Sequence, residues 1–296
     1  MQLSCKGDYL KIKLLSLLCG VSLLYGNSEV SITGGKKDYD NSRTKKDGKT
    51  FNLNVSHKYK NGKVSLGYLK DDVQREHPQT KADIDLHIKK YNGKYQHFFD
   101  NKINLKASYI KILDNRAPTD QGKIYGLGLG YDFKKGFGAK VDFYRSDYEP
   151  FNVNQYDLAI YKRFKVNELK GKLTVGTKFI RIDGDTYNPD VPLPQQYDFH
   201  DKSYNTSFVK LGLNYQGYVA GVGAFFGKRI FTVLDGGAKV QHHAMEQDKT
   251  YMLSLGKKFK NFDIIAKYSF QNGKELPENQ DDVDTKVTSI MLSYRF

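Results

Sequence analysis

Eight charged residues sit inside stretches that otherwise alternate apolar and polar: Lys106, Lys140, Lys178, Lys210 and Lys267, with Asp85, Asp142 and Asp157. Most have an apolar residue on each side, as Leu105 and Ala107 flank Lys106, and Val209 and Leu211 flank Lys210. Successive side chains of a strand leave on opposite faces, so the apolar set takes one face and the charged set the other. If the sheet closes with its greasy face outward, these eight residues line a wet interior. Five lysines against three aspartates leave a modest positive excess, the polarity that favours anions in a pore. Gly126, Gly128, Gly130, Gly221 and Gly223 share the inward set, where they leave space or allow the wall to curve. The competing reading is pairing of Lys140 or Lys178 with Asp142 or Asp157, which would bridge and close the interior.

Other reactive residues form no recognisable constellation. His242 and His243 are adjacent, a poor arrangement for sharing one metal. Asp281, Asp282 and Asp284 lack the glycine and final glutamate of a calcium loop. The glycines of Gly221-Val222-Gly223 lie within a strand and precede no helix, unlike a nucleotide loop. His57 and His87 fall on strands, with no serine or acidic partner assignable to either. The expectation is a protein without enzymatic activity and without a cofactor or metal. A barrel enzyme would need a histidine and its partner brought together from neighbouring strands.

The elements that position the charged set are strands. Tyr 22, Phe 18 and Gly 27 with Pro only 7 favour strands and turns over helices. Mean hydropathy of −0.62 does not exclude a membrane, because a barrel with a wet lumen alternates and so averages polar. Alternation and turn chemistry mark fourteen strands of about 9 to 11 residues, with twelve as the alternative count. A short first strand, Glu29 to Thr33, precedes a polar loop KKDYDNSRTKKDG, and YNGKYQHFFDN connects strands four and five. Tight turns fall at Lys60-Asn61-Gly62, at KKG after Phe133 and at Gln216-Gly217. The longest loop runs from about Asp183 to Ser203 and holds Pro189, Pro192 and Pro194. KRIFTVLDGGAKVQHHAMEQD is another long connection, and the longest loops are able to fold inward. Ile110 and Ile112 fall out of phase with Tyr109, which suggests a bulge.

Upstream of the strands, Lys11 and Lys13 precede the apolar run LLSLLCGVSLLYG, which reads as a signal peptide over residues 1–26 followed by a barrel domain over 27–296. Both cysteines, Cys5 and Cys19, lie in the expected signal, so no disulfide framework is expected in the exported chain. Removing Lys6, Lys11, Lys13 and Asp8 lowers the net charge from +14 by 2, leaving +12. Export makes nucleic acid an unsuitable partner for that charge.

The chain ends in TKVTSIMLSYRF, where Thr288, Ile290, Leu292, Tyr294 and Phe296 share one face and Ser289, Met291, Ser293 and Arg295 the other. A closing strand of this kind, with a terminal aromatic and another two residues before it, resembles that of bacterial outer-membrane β-barrel proteins of the porin type. The resemblance implies an all-β, transmembrane up-and-down antiparallel barrel in the Gram-negative cell outer membrane. It also implies that Tyr294 and Phe296 form part of the signal read by the barrel-assembly machinery. The corresponding function is a porin-like channel for passive diffusion of small solutes with mild anion preference, or a closed structural or surface-binding barrel acting through its loops. Outer-membrane lipid is the expected surroundings. Lys36, Lys37, Arg43, Lys45, Lys46, Lys228 and Arg229 are candidates for contact with lipopolysaccharide phosphates.

Overall fold

The computed structural model describes residues 27–296 apart from 78, 100–101, 116–118, 150, 185–201, 242–244 and 277–279. The expected signal peptide, the paired histidines His242 and His243, and the three prolines of the longest loop lie outside the described residues. Sixteen strands run in order: β1 (Ser28–Asp40), β2 (Lys45–Tyr59), β3 (Gly62–Arg75), β4 (Leu86–Phe99), β5 (Ile103–Asp114), β6 (Lys123–Asp132), β7 (Phe137–Asp147), β8 (Asn152–Val166), β9 (Leu169–Asp183), β10 (Ser203–Tyr215), β11 (Tyr218–Arg229), β12 (Val233–Leu234), β13 (Lys239–Val240), β14 (Met245–Lys258), β15 (Phe262–Glu275) and β16 (Gln280–Arg295). Fourteen of them pair antiparallel with their neighbours in one closed barrel, and β12 and β13 form a separate small hairpin. Closure pairs β1 with β16 from Glu29–Arg295 to Asp40–Asp284, so no edge remains. Phe296 N donates to Ser28 O at 3.0 Å and Asn27 N to Phe296 O at 3.1 Å, completing the ladder at the chain ends.

Ser28, Phe296 and the tight turns lie at one end of the barrel. Gln216 and Gly217 form a two-residue turn with φ of 48° and 85°, the left-handed pair that matches strand twist and that glycine adopts without strain. The longer connections gather at the other end. The exterior carries an aliphatic belt in which Leu127 is 65% and Ile160 66% exposed, a burden that suits surroundings of lipid. Aromatics border that belt on both sides: Tyr68–Tyr91, Tyr109–Tyr125 and Phe143–Tyr156 toward the loop end, Tyr59–Tyr95 and Phe259–Phe262 toward the turn end.

Several elements differ from the sequence reading. The polar segment after Thr33 continues as strand, so β1 reaches Asp40 and β2 begins at Lys45; YNGKYQHFF likewise belongs to β4. Strands run to 16 residues, past the length needed to cross a bilayer. Ile110 and Ile112 mark no bulge, since β5 keeps continuous register with β4 and β6. Above Tyr109 the apolar residues move to the inner face, and the same change buries Leu86 and Ile88, which the alternation assigned to lipid. The reason is a core inside the barrel. Ile88, Ile112, Ile124, Ile180 and Ile182 pack around Ile230, Phe231 and Val233 from the β11–β14 connection. Burial of such side chains contributes about 1.5–3 kcal/mol each, which outweighs keeping the upper lumen wet.

Candidate lumen site and pore loop

The connection between β11 and β14 folds inward. Ile230, Phe231 and Thr232 are fully buried, and Phe231 stacks among Tyr148 and Phe151 with ring centroids 5.7 and 5.0 Å away. Gln155 on β8 clamps the hairpin backbone: Val233 N donates to Gln155 Oε1 at 2.8 Å and Gln155 Nε2 donates to Val233 O at 2.9 Å. Lys178 Nζ on β9 donates to the same carbonyl at 3.2 Å, and Lys90 Nζ on β4 to Val240 O at 3.0 Å. Thr232 O accepts from Gln241 N at 2.9 Å, closing the base of the hairpin.

The hairpin tip needs its two glycines. Gly236 and Gly237 have φ of 66° and 84°, and a Cβ on Gly237 would stand 2.3 Å from Ser108 Oγ on β5. Beside them Asp235 meets Lys210 at 3.3 Å and Lys239 at 3.4 Å. Two ammonium groups flank one carboxylate at the tip of the hairpin. The loop is thus tied to the wall at β4, β8, β9 and β10, and abuts β5 and β7 at its tip.

Seven of the eight sequence-predicted lumen residues lie on the barrel wall with the inward-facing set. Lys106 pairs with Asp142 at 2.5 Å, and Lys178 forms a buried pair with Asp157, which also accepts from Gln155 Nε2 at 2.7 Å. Lys210 answers the loop through Asp235. Lys140 and Lys267 make no ion pair among the described residues; Lys267 Nζ lies 3.6 Å from Met291 Sδ. Asp85 is the exception: it belongs to the β3–β4 connection, where its Oδ1 accepts from Arg75 N at 3.0 Å. The expected strand there begins only at Leu86, because the apolar residues that suggested it serve the inner core. The Lys178–Asp157 pair fulfils the pattern expected of a bridged interior, whereas Lys140 remains outside it.

Sequence reasoning missed the buried clamp Gln155, the Asp71 cluster and Arg229. Asp71 lies 3.0 Å from Lys37 and 3.6 Å from Lys90 on the inner wall. Arg229 Nη2 donates to Gln247 Oε1 at 2.6 Å and to Thr250 Oγ1, and its Cζ lies 4.8 Å from the Phe225 ring centroid. Three residues expected at lipopolysaccharide therefore face elsewhere: Lys37 and Arg229 point inward, and Lys45 is buried against Glu275 at 2.6 Å. Phase alone could have found Lys37, which alternates with Lys36 on β1, but not Lys45, which shares the parity of outward Phe51 and turns inward at the register shift between Lys45 and Gly48. Two histidines have the neighbours that the sequence left unassigned, a serine for His57 and a carboxylate for His87, at opposite ends of the barrel. His57 Nδ1 lies 3.0 Å from Ser28 Oγ at the turn end, and His87 Nδ1 lies 2.8 Å from Asp72 near the loop end.

Between the hairpin and the β1–β4 and β14–β16 walls lies a cavity of about 570 Å³. It is lined by amides and hydroxyls such as Asn52, Asn92, Gln96 and Ser289, and by Lys37, Lys63, Lys90, Lys94, Lys210, Arg229, Lys239 and Lys267 against Asp71 and Asp235. A vestibule of about 770 Å³ opens at the turn end, bordered by Arg163, Lys172, Lys258 and again Lys267. Lys267 borders both spaces. Both spaces are positively charged and lie beside the seated hairpin, whose apolar core fills the rest of the upper lumen.

The fold is that of bacterial outer-membrane β-barrels. A Pseudomonas aeruginosa FadL homologue is similar over 91% of this chain and 90% of that chain, with 9% identity and a TM-score of 0.58. The CymD monoaromatic hydrocarbon channel is similar over 94% and 91%, with 9% identity and a TM-score of 0.56. A bacterial polysaccharide outer-membrane secretin is similar over 92% and 99%, with 12% identity and a TM-score of 0.54. No protein-family model and no curated protein matches the chain. At these identities the likeness establishes architecture.

Proposed function

We propose that the protein is a porin-like outer-membrane channel through which small solutes diffuse passively, with a preference for anions and no catalytic step. The observation that carries this reading is the charge of the open side of the lumen. Eight basic side chains face two acidic ones around the cavity, and the vestibule below it carries, among the described residues, seven basic side chains and no acidic one, with apolar neighbours. Charge of one sign in a low-dielectric wall raises the local concentration of the opposite sign. The similar CymD is a monoaromatic hydrocarbon channel, which supports a conducting role for the fold. A hydrocarbon cargo is not carried over, because amides and lysines line this cavity. The seated hairpin and its apolar core favour a second reading, a closed barrel acting through its external loops.

Planar-bilayer recording of the folded protein separates the two. Stable conductance steps with an anion-selective reversal potential in a salt gradient support the channel. Neutralising Lys94, Lys140 and Lys267 to glutamine, residues that hold no carboxylate partner, reduces that selectivity. A verified folded barrel that conducts nothing removes the channel reading.

A further inference from the structure

On the barrel exterior, three lysine pairs stand directly opposite each other across neighbouring strands: Lys36 with Lys49, Lys70 with Lys89, and Lys111 with Lys123. All six share the phase of the exposed apolar residues and therefore project outward, as Lys70 follows Leu66 and Tyr68, and Lys123 precedes Tyr125 and Leu127. Directly opposite positions bring Cβ atoms within about 5.5 Å, and like charges placed there destabilise a sheet. One such pair is an accident of composition; three on consecutive hairpins form a pattern.

The pairs also keep a fixed place relative to the aromatic border. Tyr68–Tyr91 lies just below Lys70–Lys89 at a ring separation of 5.3 Å, and Tyr109–Tyr125 just below Lys111–Lys123 at 5.4 Å. Between hairpins the register steps by two residues: Phe51 faces Lys70, Tyr91 faces Lys111 and Tyr125 faces Arg145. The lysines and aromatics step together, so the basic tier follows the upper edge of the belt from β1 to β7. Compensation is partial. Asp38 meets Lys36 at 2.6 Å and Asp72 meets Lys70 at 2.7 Å, while Lys111 donates to Gln121 O at 2.6 Å. Lys49 and Lys123 stand opposite Asp72 and Asp147 across the next junction without closing to an ion pair, and Lys89 faces only Lys70 and Leu113.

We propose that this tier binds the phosphate groups of a phosphorylated glycolipid of the outer leaflet, the lipid A region of lipopolysaccharide. Pairs on alternate strand junctions repeat about every 10 Å, which suits a headgroup bearing more than one phosphate. The aromatic pairs and aliphatic belt beneath receive its acyl chains, and phosphate oxygens between paired ammonium groups turn the like-charge repulsion into attraction. The inference rests on the membrane-barrel fold and not on the channel reading.

The test uses the folded full chain in neutral detergent, titrated with bisphosphorylated lipid A, its dephosphorylated form or inorganic phosphate, and read by native mass spectrometry and by the thermal midpoint of the folded band on gels. Bisphosphorylated lipid A is expected to bind and to raise the midpoint. Lys89→Gln with Lys123→Gln, the members of two pairs that hold no ion pair of their own, weakens that binding about tenfold or more, while Lys60→Gln at the turn end leaves it unchanged. Without lipid the double variant is expected to be more stable than the parent, because one member of two repelling pairs is gone. Equal binding of phosphorylated and dephosphorylated lipid A, equal protection by inorganic phosphate alone, or destabilisation of the variant in plain detergent overturns the proposal.

Discussion

Replacing Gln155 with alanine removes the clamp that seats the hairpin across the lumen. Two hydrogen bonds to Val233 are lost, at 2.8 and 2.9 Å, together with one to Asp157 at 2.7 Å. Val233 is 1% exposed, so its N–H is left buried and unsatisfied, while its carbonyl keeps Lys178 at 3.2 Å. The stranded amide costs about 1–3 kcal/mol and the weakened carbonyl about 1 kcal/mol more, roughly 2–4 kcal/mol against the seated state. That raises the unseated population by roughly one and a half to three orders of magnitude. The barrel ladder itself is untouched. Because Cys5 and Cys19 are the only cysteines, Val233→Cys in a background with both replaced by serine supplies a single thiol in the loop. Maleimide labelling of that thiol is expected to accelerate sharply when Gln155 becomes alanine, and single channels are expected to gain conductance or flicker. Unchanged labelling and unchanged conductance in a folded double variant would refute the clamp.

Phe231→Ala should cost the loop core about 3–5 kcal/mol, seen as faster proteolysis within residues 230–244 while the barrel band on gels persists. Glu275 lies at the loop end of β15, beyond the exterior aromatics, and accepts from Lys45 Nζ at 2.6 Å, Thr44 Oγ1 at 2.7 Å and Ser42 Oγ at 2.8 Å. Burial alone would raise its pKa, but the Lys45 charge and these bonds hold it at about 2, below its ordinary 4.5. With the folded value depressed, its contribution is complete above about 4.5 and is lost as pH falls toward about 2, so hydrogen exchange over residues 41–44 should rise in that window and be flat in Glu275→Gln. Asp142→Asn leaves Lys106 without its partner at 2.5 Å and should shift the reversal potential further toward anions; a shift toward cations contradicts the lumen assignment. Arg295→Ala removes two bonds to Asp263, at 2.7 and 2.8 Å, and should cost about 1–3 kcal/mol, read as a lower folded fraction on refolding, with Arg295→Lys recovering part of it.

Strand number, antiparallel order and the lipid-facing set were legible because a period of two, repeated fourteen times, is a local property of the chain. Tyr125, Leu127 and Leu129 announce their face by alternation alone, and Gln216-Gly217 announces its turn by the φ values glycine permits. The inward placement of Lys106, Lys178 and Lys210 follows from the same parity. Partnership does not: Lys106 meets Asp142 across β6, and Lys178 meets Asp157 on the next strand, distances that depend on closure and stagger. The second apolar phase was present as Ile110 and Ile112, but its meaning was not, since a phase change reads equally as a bulge or as a core. Only the tertiary structure decided between them, by folding Ile230, Phe231 and Val233 into the lumen and giving those inner isoleucines something to bury against. Alternation tells each residue which side of the sheet it occupies, whereas the lumen's contents are fixed by contacts between residues far apart in the chain.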